Sequence, residues 1–331
     1  MLFTIVIPTY NPGTYLPRLL NSILKNECLS DMEVILSDDC STEKLEDAIV
    51  WYKSLNIRII RNDRHYGFPR AGRQNGADAA KGQWVCFADQ DDCFVENAFD
   101  KIKAYILKHN AANYLTTDFI TKYIDSGKQI VNESTHGWTH GKFYEKSFLD
   151  KYDIRYDDIQ YCEDINLSTK VGCVMAENML ETYHFNEPVY IWMRRNDSLC
   201  DVDYFIRSMP DYICATAGVL ITFIEKHKDD EDQNLFKYYN TRFINTLYHT
   251  FFYLQSPQLF GSKRVIHETC MALIPIYERF QKATGLTSDD ILYLTYNDLL
   301  PIYHDTRNND FRQIPFIEQM TFREWMVTHL G

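Results

Sequence analysis

The sequence predicts an α/β protein, with a mostly parallel open sheet covered by helices on both faces and a helical region behind it. Two patterns predict the sheet. Short, wholly apolar runs rich in β-branched residues alternate with helix-period segments through the first hundred residues, as expected when strands are buried on both faces. Polar clusters stand at the ends of those runs: PTYN after the first, DDCS after the second, DQDD after the fourth. In open sheets, ligands bind outside the carboxyl ends of the strands, so these clusters are expected to converge. A third observation, the shift to aromatic, helix-period composition near residue 200, predicts the appended region.

Each element has its own signal. LFTIVIP is an apolar strand that stops at proline, and NPGT turns the chain. Leu16, Leu19, Leu20, Ile23 and Leu24 recur at helical spacing, with Thr14 as N-cap and Pro17 in the first turn. EVILS is the second strand, followed by DDCST and a helix from about Glu43 to Lys53. NIRIIR is the third strand. Gly67 to Lys81 gives a loop and an alanine-rich helix, and QWVCFA is the fourth strand. Further on, NYLTTDFITKYI and KQIVN pattern as antiparallel strands, and GKFYEKSFLDKY as a helix. EDINLSTKVG opens another helix, with its acidic pair where the helix dipole favours negative charge. EPVYIWMRR is a further strand. Leu235, Tyr239, Phe243, Leu247, Phe251 and Leu254 then repeat at three- and four-residue intervals, and Asp229 to Asp232 form a solvated loop. The expected domains are 1–200, with halves 1–95 and 96–200, and a helical region 201–331.

Bulk properties exclude several classes. The formal net charge is -12, which disfavours loose binding to nucleic acid or to an anionic membrane. No apolar run approaches the ~20 residues of a membrane span. MLFTIVIPTYN has neither the basic region nor the cleavage site of a signal peptide. The nine cysteines are scattered without CxxC pairs, which fits a reducing cytosol better than a disulfide framework or a zinc site. The Asn-x-Ser matches at Asn132, Asn166 and Asn196 then carry little meaning.

DQDD places Asp89, Asp91 and Asp92 at the end of a buried strand, where like charges repel. A divalent cation, Mn²⁺ or Mg²⁺, would hold them together and would share oxygens of a diphosphate. The plainer reading of Asp92 is a cap for a helix starting at about Phe94.

IVIPTYNPGTYLPRLLNSIL, EVILSDDCST and GFPRAGRQNGADAAKGQWVCFADQDD together resemble the nucleotide-sugar-binding half of a family 2 glycosyltransferase with a GT-A, Rossmann-like fold. WTHGKFYEKSFLDKYDIRYDDIQYCEDINL resembles the acceptor half, and the likeness covers about residues 3 to 200. The resemblance implies inverting sugar transfer and assigns roles by position. Pro8, Thr9 and Tyr10 would line the base pocket, with the Tyr10 ring near a uracil face, where stacking is worth ~1–3 kcal/mol. Asp38 would accept from the base's N3–H, and Asp39 would organise the following turn. Arg73 would contact the nucleotide; the neighbouring Gln74 departs from the family's usual asparagine. Asp89 would hold the ribose or donor sugar, Asp91 would ligate the metal, and Asp92 would be the second-choice ligand.

Asp164 matches the family's acidic pair and would be the general base that deprotonates an acceptor hydroxyl. Glu163 would position the acceptor or fix a loop, and Trp138 offers an aromatic face to a sugar ring. His136 and His140 are four apart but share no clear helix, so they are not read as a metal pair. Arg194 and Arg195 are candidates for the donor phosphates, where arginine's fork is favoured. Relatives often place a histidine shortly after; here Asn196 stands near that position, and Ser198 is expected to cap the loop.

The implied partners are a nucleotide-sugar donor, read as UDP-linked, and a glycan, lipid-linked or other polymer acceptor; nucleic acid is not expected. The expected location is the cytoplasm, with peripheral attachment to the inner face of the membrane left open. The helical tail leaves open homo-oligomerisation, docking to a membrane-bound partner or extension of the acceptor groove. Two other enzyme classes share the sheet. A sugar nucleotidyltransferase usually wants a basic, glycine-rich loop where PTYNPG stands, and a nicotinamide dehydrogenase wants GxGxxG there. A non-catalytic nucleotide-sugar-binding module is the remaining alternative, against which Asp89, Asp91 and Asp164 argue.

Overall fold

A computed structural model describes residues 1–134, 137–195, 208–254 and 263–286. The chain divides into two compact units, Met1–Leu199 and Cys200–Gly331.

The first unit is built on a nine-stranded sheet. Its elements are β1 (Phe3–Thr9), α1 (Tyr15–Ile23), β2 (Met32–Asp38), α2 (Leu45–Ile49), β3 (Ile57–Arg61), α3 (Pro69–Ala79), β4 (Trp84–Phe87), β5 (Cys93–Phe94) and α4 (Ala98–His109). There follow β6 (Tyr114–Tyr123), β7 (Gln129–Asn132), β8 (Lys142–Glu145), α5 (Lys146–Lys151), α6 (Glu163–Glu177) and β9 (Tyr183–Arg194). The strands lie in the order β3-β2-β1-β4-β8-β6-β9-β5, with β7 beside β6.

The first four strands are parallel, and all seven residues of β2 are buried, as a strand covered on both faces requires. α1 buries Leu16, Leu19, Leu20 and Ile23 on one stripe, and each fully buried aliphatic contributes about 1.5–3 kcal/mol. Thr14 stands at its N-cap, without a side-chain capping bond. Beyond β4 the sheet becomes mixed: β8 runs antiparallel to β4 and β6, while β9 runs parallel to β6 and antiparallel to β5. The edge-to-face rings of Phe3, Phe99 and Phe143 lock strands from both halves to α4.

Three expectations need correction. The segment GKFYEKSFLDKY is not one helix: its first residues fill the slot between β4 and β6 as β8, and only Lys146–Lys151 turn helical. Tertiary pairing overrides local helix propensity there. Phe94 belongs to the short β5, and the helix begins at Ala98, so Asp92 caps no helix. The helix expected from Glu43 to Lys53 shrinks to five residues.

Register sets the site. Thr9 lies beside Asp38 and Asp38 beside Arg61, so three parallel strands end level. The β4 chain leaves the sheet next to them, with Ala88 still bonded to Val6, and delivers Asp89 to the same rim.

The second unit contains α7 (Met209–His227), α8 (Asn234–Leu254) and α9 (Lys263–Thr284). Ile213, Leu220 and Ile224 of α7 are buried, as are Tyr239, Phe243 and Leu247 of α8. Phe243 stacks on Phe280 of α9 with centroids 4.2 Å apart. Phe251 and Leu254 lie in α8, but their side chains fall outside the described residues. Asp229 to Asp232 lie between α7 and α8 and are exposed. Among the described residues, no helix is long and apolar enough to cross a membrane.

Candidate active site

The site forms where DQDD, the N-terminus of α6 and the end of β9 meet. Arg73, in α3, is 4% exposed and spans two of these pieces. Its Nη2 donates to Asp89 Oδ1 at 2.7 Å and its Nη1 to Glu163 Oε1 at 2.6 Å. Burial works against the guanidinium charge, but Asp89 and Glu163 outweigh it and hold the group protonated. Arg73 is therefore an internal bridge between the loop that carries Asp89 and α6, with both amino groups already engaged by carboxylates.

Asp89 keeps a third of its side chain exposed. Burial raises its proton affinity, yet Arg73 and then His140 lower it more, so it stays a carboxylate well below the usual range. Asp91 turns its carboxylate to Arg195 at 2.7 Å, while Arg18 of α1 donates to the Asp91 carbonyl. The Arg195 guanidinium also lies 4.6 Å from the Tyr15 ring centroid. Burial and then the Asp89 charge raise the Asp91 carboxyl. Asp92 is 1% exposed and fully bonded: Tyr190 Oη donates to Oδ2 at 2.6 Å and the Met193 amide to Oδ1 at 2.7 Å. Burial, then the charges of Asp89 and Asp91, push it well above the usual carboxylate range.

His140 was not expected here. Its ring stacks on Tyr190 at 5.0 Å, and its Nε2 lies 3.9 Å from Asp89 Oδ2. Nδ1 is buried without a hydrogen-bond partner among the described residues. Donor atoms of Asp89, Asp92 and His140 all fall within 4.8 Å of one another, a spacing that fits one divalent ion. The donor set also fits: two hard oxygens suit Mn²⁺ or Mg²⁺, and an imidazole tilts the choice toward Mn²⁺. A dication there would relieve the carboxylate repulsion that now raises Asp92. Asp91, the first-choice ligand from the sequence, stands outside this trio and carries Arg195 instead.

The acidic pair opens α6. Glu163 is buried under Arg73, whereas Asp164 is half-buried and accepts the Ile165 amide at 2.9 Å. Burial, then the Glu163 charge, lifts the Asp164 carboxyl to about 7; Arg73 and Lys142 pull the other way. Lys142 of β8 is 1% exposed, and burial lowers its ammonium to about 8. Tyr144 and Tyr156, also buried, have hydroxyls without hydrogen-bond partners among the described residues.

At the parallel end, Tyr10 is 42% exposed and its ring lies 4.3 Å from that of His65. Thr9 is buried and bonds back to the Ile7 carbonyl, and Pro8 packs opposite Gly72 of α3. Asp38 is fully enclosed: Oδ1 accepts the Ser41 amide at 2.9 Å and Oδ2 accepts from Arg61. Asp39 accepts from the Tyr66 and Gly67 amides and from Asn62, and so ties the following loops together. Trp138, before β8, is 38% exposed and its ring lies 5.3 Å from Trp192. Arg194 is exposed and lies over Trp192 and Tyr123. His136, Asn196 and Ser198 lie outside the described residues.

Comparison with known proteins supplies the family. Residues 4–162 match the glycosyl transferase family 2 model. An uncharacterized glycosyltransferase of Haemophilus influenzae is 33% identical over 132 residues, 40% of this chain and 44% of that protein. Poly(ribitol-phosphate) beta-N-acetylglucosaminyltransferase TarS of Staphylococcus aureus is 31% identical over 113 residues, 34% of this chain and 20% of TarS. The matched segments thus span under half of those relatives' lengths. In structure, S. aureus TarS 1-349 in complex with UDP-GlcNAc superposes with a TM-score of 0.54 at 20% identity, covering 89% of this chain and 91% of that one. That likeness shows the GT-A fold, and with the family match over 4–162 it means that this chain carries a family 2 glycosyltransferase domain.

Proposed function

We propose that the protein transfers a sugar, with inversion, from a UDP-sugar to a hydroxyl of a glycan or other polymer. The observation that carries this reading is the Arg73 bridge. One buried guanidinium joins Asp89 to Glu163, the residue before Asp164, which supports reading the half-open carboxylate of Asp164 as a neighbour of the donor. Asp164 would take the proton of the acceptor hydroxyl as that oxygen bonds to the anomeric carbon. The bond from that carbon to the diphosphate breaks, and its electron pair leaves with UDP. A carboxyl lifted to about 7 is poised for this work, because it binds the proton strongly and is still ionised near neutrality.

Tyr10 is the exposed ring available to stack on the base. Arg195, beside Asp91, is the candidate phosphate contact, with Arg194 next to it. Asp89, Asp92 and His140 would hold a divalent ion, which when bound supplies positive charge to the leaving diphosphate. Trp138, with Trp192 behind it, offers a face for an acceptor ring. UDP is favoured because TarS 1-349, which shares the fold, was solved with UDP-GlcNAc; a polymer acceptor is favoured by the name of TarS itself. A cytoplasmic site of action is supported by nine cysteines scattered without CxxC pairs, which fits a reducing compartment.

The test is a panel of UDP-sugars and other nucleotide sugars incubated with Mn²⁺, read as nucleotide release. At least one UDP-sugar should turn over. Asp164→Asn should bind UDP in calorimetry with unchanged affinity and release none. Failure to bind UDP, or equal binding of NAD, would overturn the reading; normal turnover by Asp164→Asn would overturn the base.

A further inference from the structure

Backbone N–H and C=O groups are obligatory hydrogen-bonding groups, so the end of a ladder raises the question of where its next pair goes. Across the β1–β4 seam the even-numbered residues face β4: the Trp84 amide donates to the Leu2 carbonyl at 2.8 Å and the Ala88 amide to the Val6 carbonyl at 3.0 Å. Pro8 is next in this alternation and has no N–H to give, so the main-chain ladder stops there. Tyr10 follows. Its amide donates to Gln90 Oε1 at 2.9 Å, and its carbonyl accepts from Gln90 Nε2 at 3.1 Å. The side-chain amide of Gln90 thus does for Tyr10 what a strand partner would do. Gln90 lies between Asp89 and Asp91, but its amide is uncharged and both its ends are spent on the Tyr10 peptide.

The surrounding loops hold the same residue from other sides. Asn11 takes φ +39°, and its Oδ1 accepts the Thr42 amide at 2.8 Å, which fixes the chain just past Tyr10. His65, whose Nδ1 lies 2.9 Å from the Asp39 carbonyl oxygen, covers one face of the Tyr10 ring, with centroids 4.3 Å apart. At that spacing no third ring fits between them, so a base stacking on Tyr10 takes its other face. Stacking on a ring held in place beforehand costs less ordering than stacking on a mobile one.

We infer that Gln90 is a positioning residue for donor recognition: its side-chain amide holds the Tyr10 peptide, and with it the ring, in the pose that receives the nucleotide base. The role rests on the reading of Tyr10 as the base-stacking ring.

The experiment titrates the full chain with uridine in EDTA, read by NMR chemical shifts, so that neither phosphate nor a metal ion contributes. Tyr10→Ala should weaken uridine binding about fivefold or more, the scale of a lost stacking contact. Gln90→Met keeps the length of the side chain and removes both hydrogen bonds. It should fold as wild type does, because Gln90 is only partly buried, and should weaken uridine about three- to tenfold. In a Tyr10→Ala background the same change should cost less than about twofold, since Gln90 acts through the ring. Gln90→Ala should behave alike, and it serves if Gln90→Met does not fold. Unchanged uridine affinity in the Gln90 variants, with Tyr10→Ala weakened, overturns the role of Gln90 alone. A loss that persists undiminished in the Tyr10→Ala background also overturns it, because the effect would then bypass the ring. No uridine binding by wild type, or a Tyr10→Ala variant that binds as tightly, overturns the base reading and this role with it.

Discussion

Asp164 is lifted to about 7, above its ordinary 3.8, first by burial and then by Glu163. This shift has two consequences of opposite sign. If Asp164 is the base proposed above, turnover needs the ionised form, so it should climb with pH and level off above about 7, falling nearly tenfold per unit on the acid side. Stability runs the other way. Between about 4 and 7 the folded chain keeps a proton that the unfolded chain releases, so this group's contribution falls as pH rises through that window. Asp164→Asn should therefore gain stability relative to wild type between about pH 4.5 and 7.5. Urea unfolding at both ends of that range, with a pH–rate profile of the wild type, checks the pair; a flat profile from about pH 5.5 to 7.5 contradicts it. The acidic residues of the site were legible because clustered carboxylates at a strand end and a helix start are conspicuous in a sequence. His140 and Lys142 were not, because their partners depend on β8 pairing with β4 and β6. Asp38 shows the reverse problem. Its charge reads as free for a base, but Ser41 and Arg61 already occupy it.

Among the elements, the first four strands and α1, α3 and α6 follow from apolar runs and helical spacing, which report burial directly. β8 and β5 did not, since four-residue and two-residue strands carry too little pattern and owe their form to the neighbours they pair with. The junction from α3 to β4 makes a sharper demand. A Cβ on Gly82 would lie 2.5 Å from the Phe3 carbonyl carbon and 2.6 Å from the Thr4 amide nitrogen. Backbone cannot yield as a side-chain tip can, so Gly82→Ala should destabilise by about 1–3 kcal/mol. Gly218→Ala, inside α7, has room: its Cβ would meet Ile276 Cδ1 at an ordinary 3.7 Å. It should stabilise by about 0.5–1 kcal/mol through helix propensity. Paired urea curves read by fluorescence and circular dichroism check both; equal midpoints would refute the steric argument.

For the molecule as a whole, charge is the governing constraint. With 46 acidic and 34 basic side chains, the chain carries -12, and the cleft adds Asp89, Asp91, Asp92, Glu163 and Asp164 at one rim. Its cations are largely engaged: Arg73 with Asp89 and Glu163, Arg195 with Asp91. The nucleoside diphosphate proposed above would bring still more negative charge to this place. Base stacking on Tyr10, at ~1–3 kcal/mol, does not offset that repulsion by itself. A dication on Asp89, Asp92 and His140 would, because it would cancel local charge at close range where water screens little. UDP affinity should therefore fall about tenfold or more when EDTA removes the divalent ion, and Mn²⁺ should restore it. His140→Ala should weaken the Mn²⁺ effect far more than the metal-free affinity, since the imidazole would be a ligand of the ion and otherwise only a neighbour of Asp89. Calorimetry with UDP, with and without Mn²⁺, separates the outcomes. An affinity indifferent to EDTA would mean that the arginines alone manage the diphosphate and that the acidic trio has another purpose.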